Sequence, residues 1–286
     1  MVLNYKAYAK VNLGLDVLRK RDDGYHDVKM IMQTVNLFDR LTIQDKPESG
    51  IEITANLSFI PCNEDNLIYK AAKLLIDEFN IDKGVKIHLD KHIPVAAGMA
   101  GGSTDAAATL IGVNKLFNLK LTKEELMVRG VKIGADVPYC IMRGTALSEG
   151  IGEVLTRIEG MPQCNILIAK PPISVSTKFV YENLHANELK DHPDIDGMIE
   201  AIKAGNLKLI ADKMDNVLET VTVKEYPVIE EIKSFMKDNG ALNSIMSGSG
   251  PTVFGLFDNR EEAERAYNGL KEKNIAKQLF LTDLFL

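Results

Sequence analysis

One stretch constrains this chain more than any other. From Ile93 to Leu110 it reads IPVAAGMAGGSTDAAATL, in which a proline, a glycine-rich turn, two hydroxyl residues and an alanine-rich helix start follow one another. Upstream, Val85, Ile87 and Leu89 alternate with polar residues in the pattern of a half-buried strand. Downstream, Ala106, Ala107, Leu110, Ile111, Val113, Leu116 and Phe117 recur at helical spacing. The glycines therefore join a strand to a helix. Gly98, Gly101 and Gly102 permit left-handed backbone and close approach, and the first N–H groups of the following helix have no partner within it. Such a turn suits an anion, phosphate above all. A tight turn with no ligand is the other reading, and the loop alone leaves it open. Two familiar nucleotide motifs are disfavoured. A Walker loop needs Gly-Lys-Ser/Thr, and no lysine follows Gly102; the dinucleotide fingerprint G-x-G-x-x-G does not match these glycines.

A chain of 286 residues has room for two domains. A boundary is expected near Glu159-Gly160-Met161-Pro162, giving domains 1–160 and 161–286. The formal net charge of -6 offers no electrostatic footprint for nucleic acid or an anionic membrane. Any phosphate site must then be local. Cys62, Cys140 and Cys164 include no C-x-x-C pair, which argues against a disulfide framework or a zinc site and for reduced thiols in a cytoplasmic protein. No apolar run approaches the roughly 20 residues needed to span a bilayer, and MVLNYKAYAKVN has no apolar core of a signal peptide. A protein neither exported nor embedded in a membrane is expected.

Along the chain, Tyr5 to Val17 alternates, with Lys10, Asn12 and Asp16 on the face opposite the apolar set. Lys10 reads either as a solvated lysine or as a mid-strand cation that needs a partner. Asp22-Asp23-Gly24 marks a hairpin turn, and Tyr25 and His26 just beyond it suit loop decoration and ligand contact equally. Val28–Leu37 and Leu41–Gln44 read as strands separated by Asp39, followed by Ile51–Ala55. Asp65 and Asn66 cap a helix from Leu67 to Phe79. Thr122 with Glu125 forms a capping box for another helix, which stops at Gly134. Asp136 then stands before Pro138 in GADVPYC, either stabilising a turn or serving chemistry. The second half reads as an α+β sandwich with helices on one face. Its helices are expected over Thr177–Leu184, Gly197–Lys203, Leu207–Leu218, Pro227–Lys237 and Arg260–Lys273. Strands are expected in NILIAK, over Val253–Phe257 and over Gln278–Leu281, and NSIMSGSGPTVF supplies a second glycine and serine turn.

Four separated strings now fit one pattern: AKVNLGLDVLRKRDDGYH, the glycine loop with STDAA, GADVPYC, and SGSGPTVF. Together they resemble the GHMP small-molecule kinases, and AKVNL, DGYH and GADVP are similar to the branch that serves non-mevalonate isoprenoid synthesis. The resemblance implies an α+β, two-domain GHMP kinase fold: an N-terminal ribosomal protein S5 domain 2-like domain and a C-terminal ferredoxin-like α/β sandwich. It implies ATP with Mg²⁺ and a cytidylated methylerythritol as small-molecule substrate; no nucleic-acid or membrane partner is expected from the charge and hydropathy, and the sequence leaves the oligomeric state open. Carried over by position, Lys10 and Asp136 are the catalytic pair. Pro94, Val95, Ala96, Ala97, Gly98, Met99, Ala100, Gly101, Gly102, Ser103 and Thr104 wrap the triphosphate, and Asn66 and Lys91 approach the nucleotide. Asn12, Tyr25, His26, Thr177 and Tyr181 meet the substrate, Tyr25 and His26 at the cytosine end. No metal ligand is assigned.

The family loop usually reads Gly-Leu-Gly-Gly-Gly-Ser-Ser, so Met99, Ala100 and Thr104 are departures, and Ala100 must take a conformation that glycine takes freely. Met32 stands where the family often has an aromatic. Asp105, beside the phosphates, is expected to turn away from them. The nearest alternative is a GHMP kinase for a sugar, homoserine or mevalonate-type alcohol; the other is a ligand sensor on the same fold that has lost its chemistry.

Overall fold

The computed structural model describes residues 1–285. The chain forms two compact units. The first comprises Met1–Ala9, Leu37–Val95 and Ala100–Arg143; the second comprises Lys10–Asn36, Ala96–Met99 and the chain from Gly144 onward. Strands β1 (Val2–Lys20) and β2 (His26–Lys46) each contribute residues to both units. The expected hairpin joins them, closed where the Arg21 N–H donates to the Tyr25 carbonyl at 2.8 Å.

The first unit continues with β3 (Ile51–Ala55), α1 (Leu67–Glu78), β4 (Gly84–Asp90), α2 (Gly101–Leu116), α3 (Lys123–Val131) and α4 (Val137–Met142). β4 pairs parallel with β3 and antiparallel with the end of β2, from Arg40 opposite Asp90 to Lys46 opposite Gly84. Helix α1 packs on α2, and α2 on α3 and α4. Ile43, Ile68, Leu75, Ile87, Leu110 and Val113 are fully buried there, which is how the alternating and helical apolar patterns are satisfied.

The break expected at Asp39 does not occur: β2 is one strand of 21 residues. Asp39 is completely buried. It serves as an internal acceptor rather than a turn residue, taking N–H groups from His92 at 2.6 Å and Ile93 at 2.7 Å.

In the second unit lie β5 (Thr145–Glu149), β6 (Val154–Ile158), β7 (Asn165–Lys170), α5 (Thr177–Asn183), α6 (Ile195–Lys203), α7 (Leu207–Asp212), β8 (Asp215–Asn216), α8 (Glu219–Glu225), α9 (Val228–Asp238), β9 (Asn243–Met246), β10 (Val253–Phe257), α10 (Arg260–Lys273) and β11 (Gln278–Asp283). β5 pairs with the first part of β2 and with β6. An antiparallel sheet of order β11-β7-β10-β9 carries α9 on β9 and β10, and α10 on β7 and β11. The single helix expected over 207–218 is α7 followed by β8, which pairs parallel with β1 at Gly14 and Leu15. There Asn216 is buried, and its amide donates to the carbonyls of Met246 and Gly248 at 2.8 Å each. Helices α4 and α8 and strand β9 were not expected.

Lys10, Asn12 and Asp16 are 5%, 0% and 4% exposed, so β1 is covered on both faces along this part. The solvated reading of Lys10 does not hold. The three cysteines are free thiols, and no helix among the described residues is long and apolar enough to cross a membrane. Phe254, fully buried in β10, sets a test of this core: Phe254→Ala should cost about 3–5 kcal/mol in denaturant unfolding, and a loss below about 1 kcal/mol would contradict the burial.

Candidate active site

In the second unit the middle of the glycine turn is held from two directions. Gly98 has φ +70°, and a Cβ placed on it would lie 2.1 Å from the Ser247 carbonyl oxygen, so only glycine fits. The Ser247 hydroxyl donates to the Gly98 carbonyl at 2.9 Å, and the Lys10 N–H donates to the Met99 carbonyl at 3.3 Å. From the same strand the Lys10 ammonium donates to Asn12 Oδ1 at 2.7 Å, while Asn12 Nδ2 donates to the Met30 sulfur at 3.1 Å. Lys10 and Asn12, two residues apart, thus share a strand face and a hydrogen bond. Gly248 lies against both Gly98 and Asn12: a Cβ there would come within 3.2 Å of the Gly98 oxygen and 3.6 Å of Asn12 Oδ1.

The expected substrate residues of this unit fall into two groups. Thr177, first residue of α5, shares a hydrogen bond of 2.8 Å with the Ser249 hydroxyl. His26 and Tyr181 bring their rings together, centroids 5.0 Å apart and tilted by 42°. Tyr25 is 60% exposed, and Met32 is fully buried in β2. Burial, and then the charge of Lys20, hold the His26 imidazole below its ordinary pKa.

In the first unit, Pro94 is buried and Val95 is 41% exposed. Ala100 takes the left-handed conformation at φ 56°, ψ 28° and caps α2, so an alanine does adopt here what glycine takes freely. The Thr104 N–H donates to the Ala100 carbonyl at 2.9 Å. Gly102 is exposed, Gly101 and Ser103 are half-buried, and Thr104 is buried. Ser103 lies beside Gly134, whose Cβ, if present, would be 3.9 Å from the serine hydroxyl. Two residues on, half-buried Asp136 is the N-terminal cap position of α4, its carbonyl accepting the Cys140 N–H at 3.0 Å.

Asn66 and Lys91 are engaged within this unit. Asn66 caps α1, accepting the Ile68 N–H at 2.9 Å and donating to the Pro61 carbonyl at 2.6 Å. Lys91 donates to Asp39 and Asp105, each at 2.6 Å. Burial alone would lower the Lys91 pKa, but the two carboxylates more than reverse it and keep the ammonium charged. Asp105 is turned into the core, 3% exposed. Burial drives its pKa well up; Lys91 opposes this, and Asp39 adds to it.

Three contributors escaped residue-level reading. Ser247 and Ser249 were signalled by the SGSG string without a role for either. Asn216, which holds the Met246 and Gly248 carbonyls, carried no local signal, because its part depends on β8 lying beside β1.

The profile for the GHMP kinases N terminal domain matches residues 66–144, and that for GHMP kinases C terminal matches residues 198–276. A 4-diphosphocytidyl-2-C-methyl-D-erythritol kinase of Lachnoclostridium phytofermentans is 57% identical over 99% of this chain and 98% of that protein. One of Lachnospira eligens is 55% identical, again over 99% and 98%. A crystal structure of 4-(cytidine 5'-diphospho)-2C-methyl-D-erythritol kinase superposes with TM-score 0.84 at 30% identity, covering 99% of both chains. The two-unit α+β architecture is that of the GHMP kinases. With identity above half along almost its whole length, the chain belongs to the 4-diphosphocytidyl-2-C-methyl-D-erythritol kinase family of the GHMP kinases.

Proposed function

We propose that the chain transfers the γ-phosphoryl group of ATP to the 2-hydroxyl of 4-diphosphocytidyl-2-C-methyl-D-erythritol, a phosphorylation step of non-mevalonate isoprenoid-precursor synthesis. One observation carries this reading above all: 57% identity over 99% of the chain to a kinase of that name. On it, residues 1–160 bring the phosphate loop and the catalytic pair, and residues 161–286 bring the second half of the kinase. Three free thiols suit a reducing compartment, and we place the protein in the cytoplasm.

Transfer of a phosphoryl group asks for positioning, for neutralisation of charge on the transferred oxygens, and for a route by which the acceptor proton leaves. Residues Pro94 to Thr104 meet the first need by wrapping the triphosphate, with the uncovered N–H groups at the start of α2 directed to it. Asn66 and Lys91 support the nucleotide side. Lys10 supplies positive charge at the reacting centre, and its hydrogen bond to Asn12 fixes where the ammonium stands. Asp136 takes the hydroxyl proton as general base. Asn12 and Thr177 orient the alcohol, while Tyr25, His26 and Tyr181 receive the cytosine. The tilted His26–Tyr181 pair suits an aromatic base.

Mg²⁺ fits as an ion carried by the triphosphate. Among the described residues no group of three His, Cys, Asp or Glu could hold a metal, whereas Ser103, half-buried in the first turn of α2, offers a hard oxygen of the kind Mg²⁺ accepts alongside phosphate and water. When bound, the ion spreads the negative charge of the phosphoryl oxygens.

The direct test is incubation of the purified protein with ATP, Mg²⁺ and the cytidylated alcohol, followed by mass analysis. One added phosphate is expected, and an unchanged alcohol overturns the assignment. Asp136→Asn should lower kcat by about 100-fold or more while binding of a non-hydrolysable ATP analogue stays within about twofold; near-normal turnover would remove Asp136 as base. Lys10→Met should also cost kcat about 100-fold or more, and unchanged kinetics would leave the buried ammonium without a catalytic part. Because burial lowers the His26 pKa, the ring is neutral at pH 7 and gains its proton only below the ordinary imidazole value of about 6.5. The KM for the cytidylated alcohol should therefore rise as pH falls through that lowered value, and His26→Gln should flatten the rise. A wild-type KM that stays level from neutral to acid pH would place His26 outside the cytosine site.

A further inference from the structure

Directly behind the first turn of α2 lies a buried ionic knot, of which the transfer chemistry above draws on Lys91 alone. Lys91 donates to Asp39 Oδ2 and to Asp105 Oδ2, each at 2.6 Å, and the three side chains are 4%, 0% and 4% exposed. Each comes from a different element. Asp39 lies in β2, Lys91 follows β4, and Asp105 lies in α2.

The connections bracket the glycine turn. Asp39 Oδ1 accepts the N–H groups of His92 and Ile93 at 2.6 and 2.7 Å, which fixes the chain as it enters at Pro94. Asp105 follows Thr104 directly, so Lys91 fixes the chain as it leaves. The ammonium has space because residue 101 has no side chain: a Cβ on Gly101 would lie 3.0 Å from Lys91 Nζ and 3.2 Å from Ile93 Cγ2. The knot carries more acid than base, and Asp105 Oδ1 is buried with no hydrogen-bond partner among the described residues. An arrangement of this kind is a poor device for stability alone, since apolar side chains of similar volume stabilise a core at least as well as buried ions. What an ionic knot does offer is fixed geometry.

We propose that Lys91, Asp39 and Asp105 are positioning residues for the triphosphate of ATP. The knot sets the spacing between Ile93 and the first turn of α2, and through it the aim of the loop's N–H groups; Lys91 works from behind the loop. The proposal rests on the assignment of Pro94 to Thr104 to the triphosphate.

Asp105→Asn keeps the side-chain volume and removes one of the two carboxyl groups that hold Lys91. Its KM for ATP, and its Kd for the non-hydrolysable analogue AMP-PNP by calorimetry, should rise on the order of tenfold or more. The KM for the cytidylated alcohol should stay within about twofold. ATP parameters unchanged in a folded variant overturn the proposal. So does a parallel shift of both KM values and kcat, which is the signature of general damage. Pairing Lys91→Met with Asp105→Leu replaces two ions by apolar side chains and should give a folded protein with the same loss of ATP affinity; normal affinity in that pair overturns the proposal, and failure of both variants to fold does so too, by making the knot a stability element. Wild-type protein that does not bind AMP-PNP defeats the triphosphate assignment itself, whereas wild-type binding matched by the variants defeats only the positioning role.

Discussion

The glycine turn has to be held in a backbone conformation that it would not keep alone. Ala96, Gly98 and Ala100 all stand at positive φ, at 50°, 70° and 56°. For glycine this is free, but for each alanine it costs about 1–2 kcal/mol. Such a conformation persists only where the surroundings over-determine it. In the second unit the Gly98 and Met99 carbonyls are taken by the Ser247 hydroxyl and the Lys10 N–H. In the first unit the Thr104 N–H closes on the Ala100 carbonyl and starts α2. The Met99 and Ala100 bonds act next to and at a strained alanine, and the Gly98 bond acts midway between the two alanines. Sequence distance between partners, 149 residues for Ser247 and Gly98, shows that the loop's shape is a property of the whole fold rather than of the loop.

The same long-range dependence explains what could be read in the sequence and what could not. Patterns with a local cause were legible. The Thr122–Glu125 capping box is present with both of its bonds. Asn66 caps α1, and strands β4, β7 and β10 stand where apolar residues alternate or run together. Where the cause is a distant partner, local reasoning failed in recognisable ways. Asp39 reads as a turn residue because exposed aspartates break strands; here two N–H groups and a lysine ammonium satisfy it inside the sheet. The 207–218 segment has the apolar content of one helix, but Asn216 is drawn off to the Met246 and Gly248 carbonyls, and the helix ends early. Helix α4 is only six residues long, with a proline in its first turn, too short for periodicity to register.

The site shows the same division. Lys10 and Asn12 could be placed on one face from alternation alone, and their hydrogen bond follows from that spacing. That both are buried did not follow, because a strand pattern does not tell whether its polar face meets solvent or another layer. The serines of the SGSG string were visible as a turn, and only the fold shows one of them bonded to the glycine turn at Gly98 and another to Thr177. Residue type suggested candidates for the chemistry; tertiary pairing decided which of their atoms are already engaged.

Electrostatics finally limits how such a site can attract a triphosphate at all. The chain carries a formal net charge of -6, so its overall field repels polyanions. At physiological ionic strength that field is screened beyond about 8 Å, which leaves attraction to groups in contact range. The start of a helix supplies a partial positive charge of about half a unit, and a free carboxylate one residue beyond the loop would cancel it. Asp105 avoids this in two ways: it is turned into the core against the Lys91 ammonium, and burial beside Asp39 makes it hard to ionise. Either effect keeps negative charge away from the first turn of α2. An acidic residue next to a phosphate loop is therefore compatible with anion binding when its own charge is neutralised from behind, and that is the condition Lys91 meets.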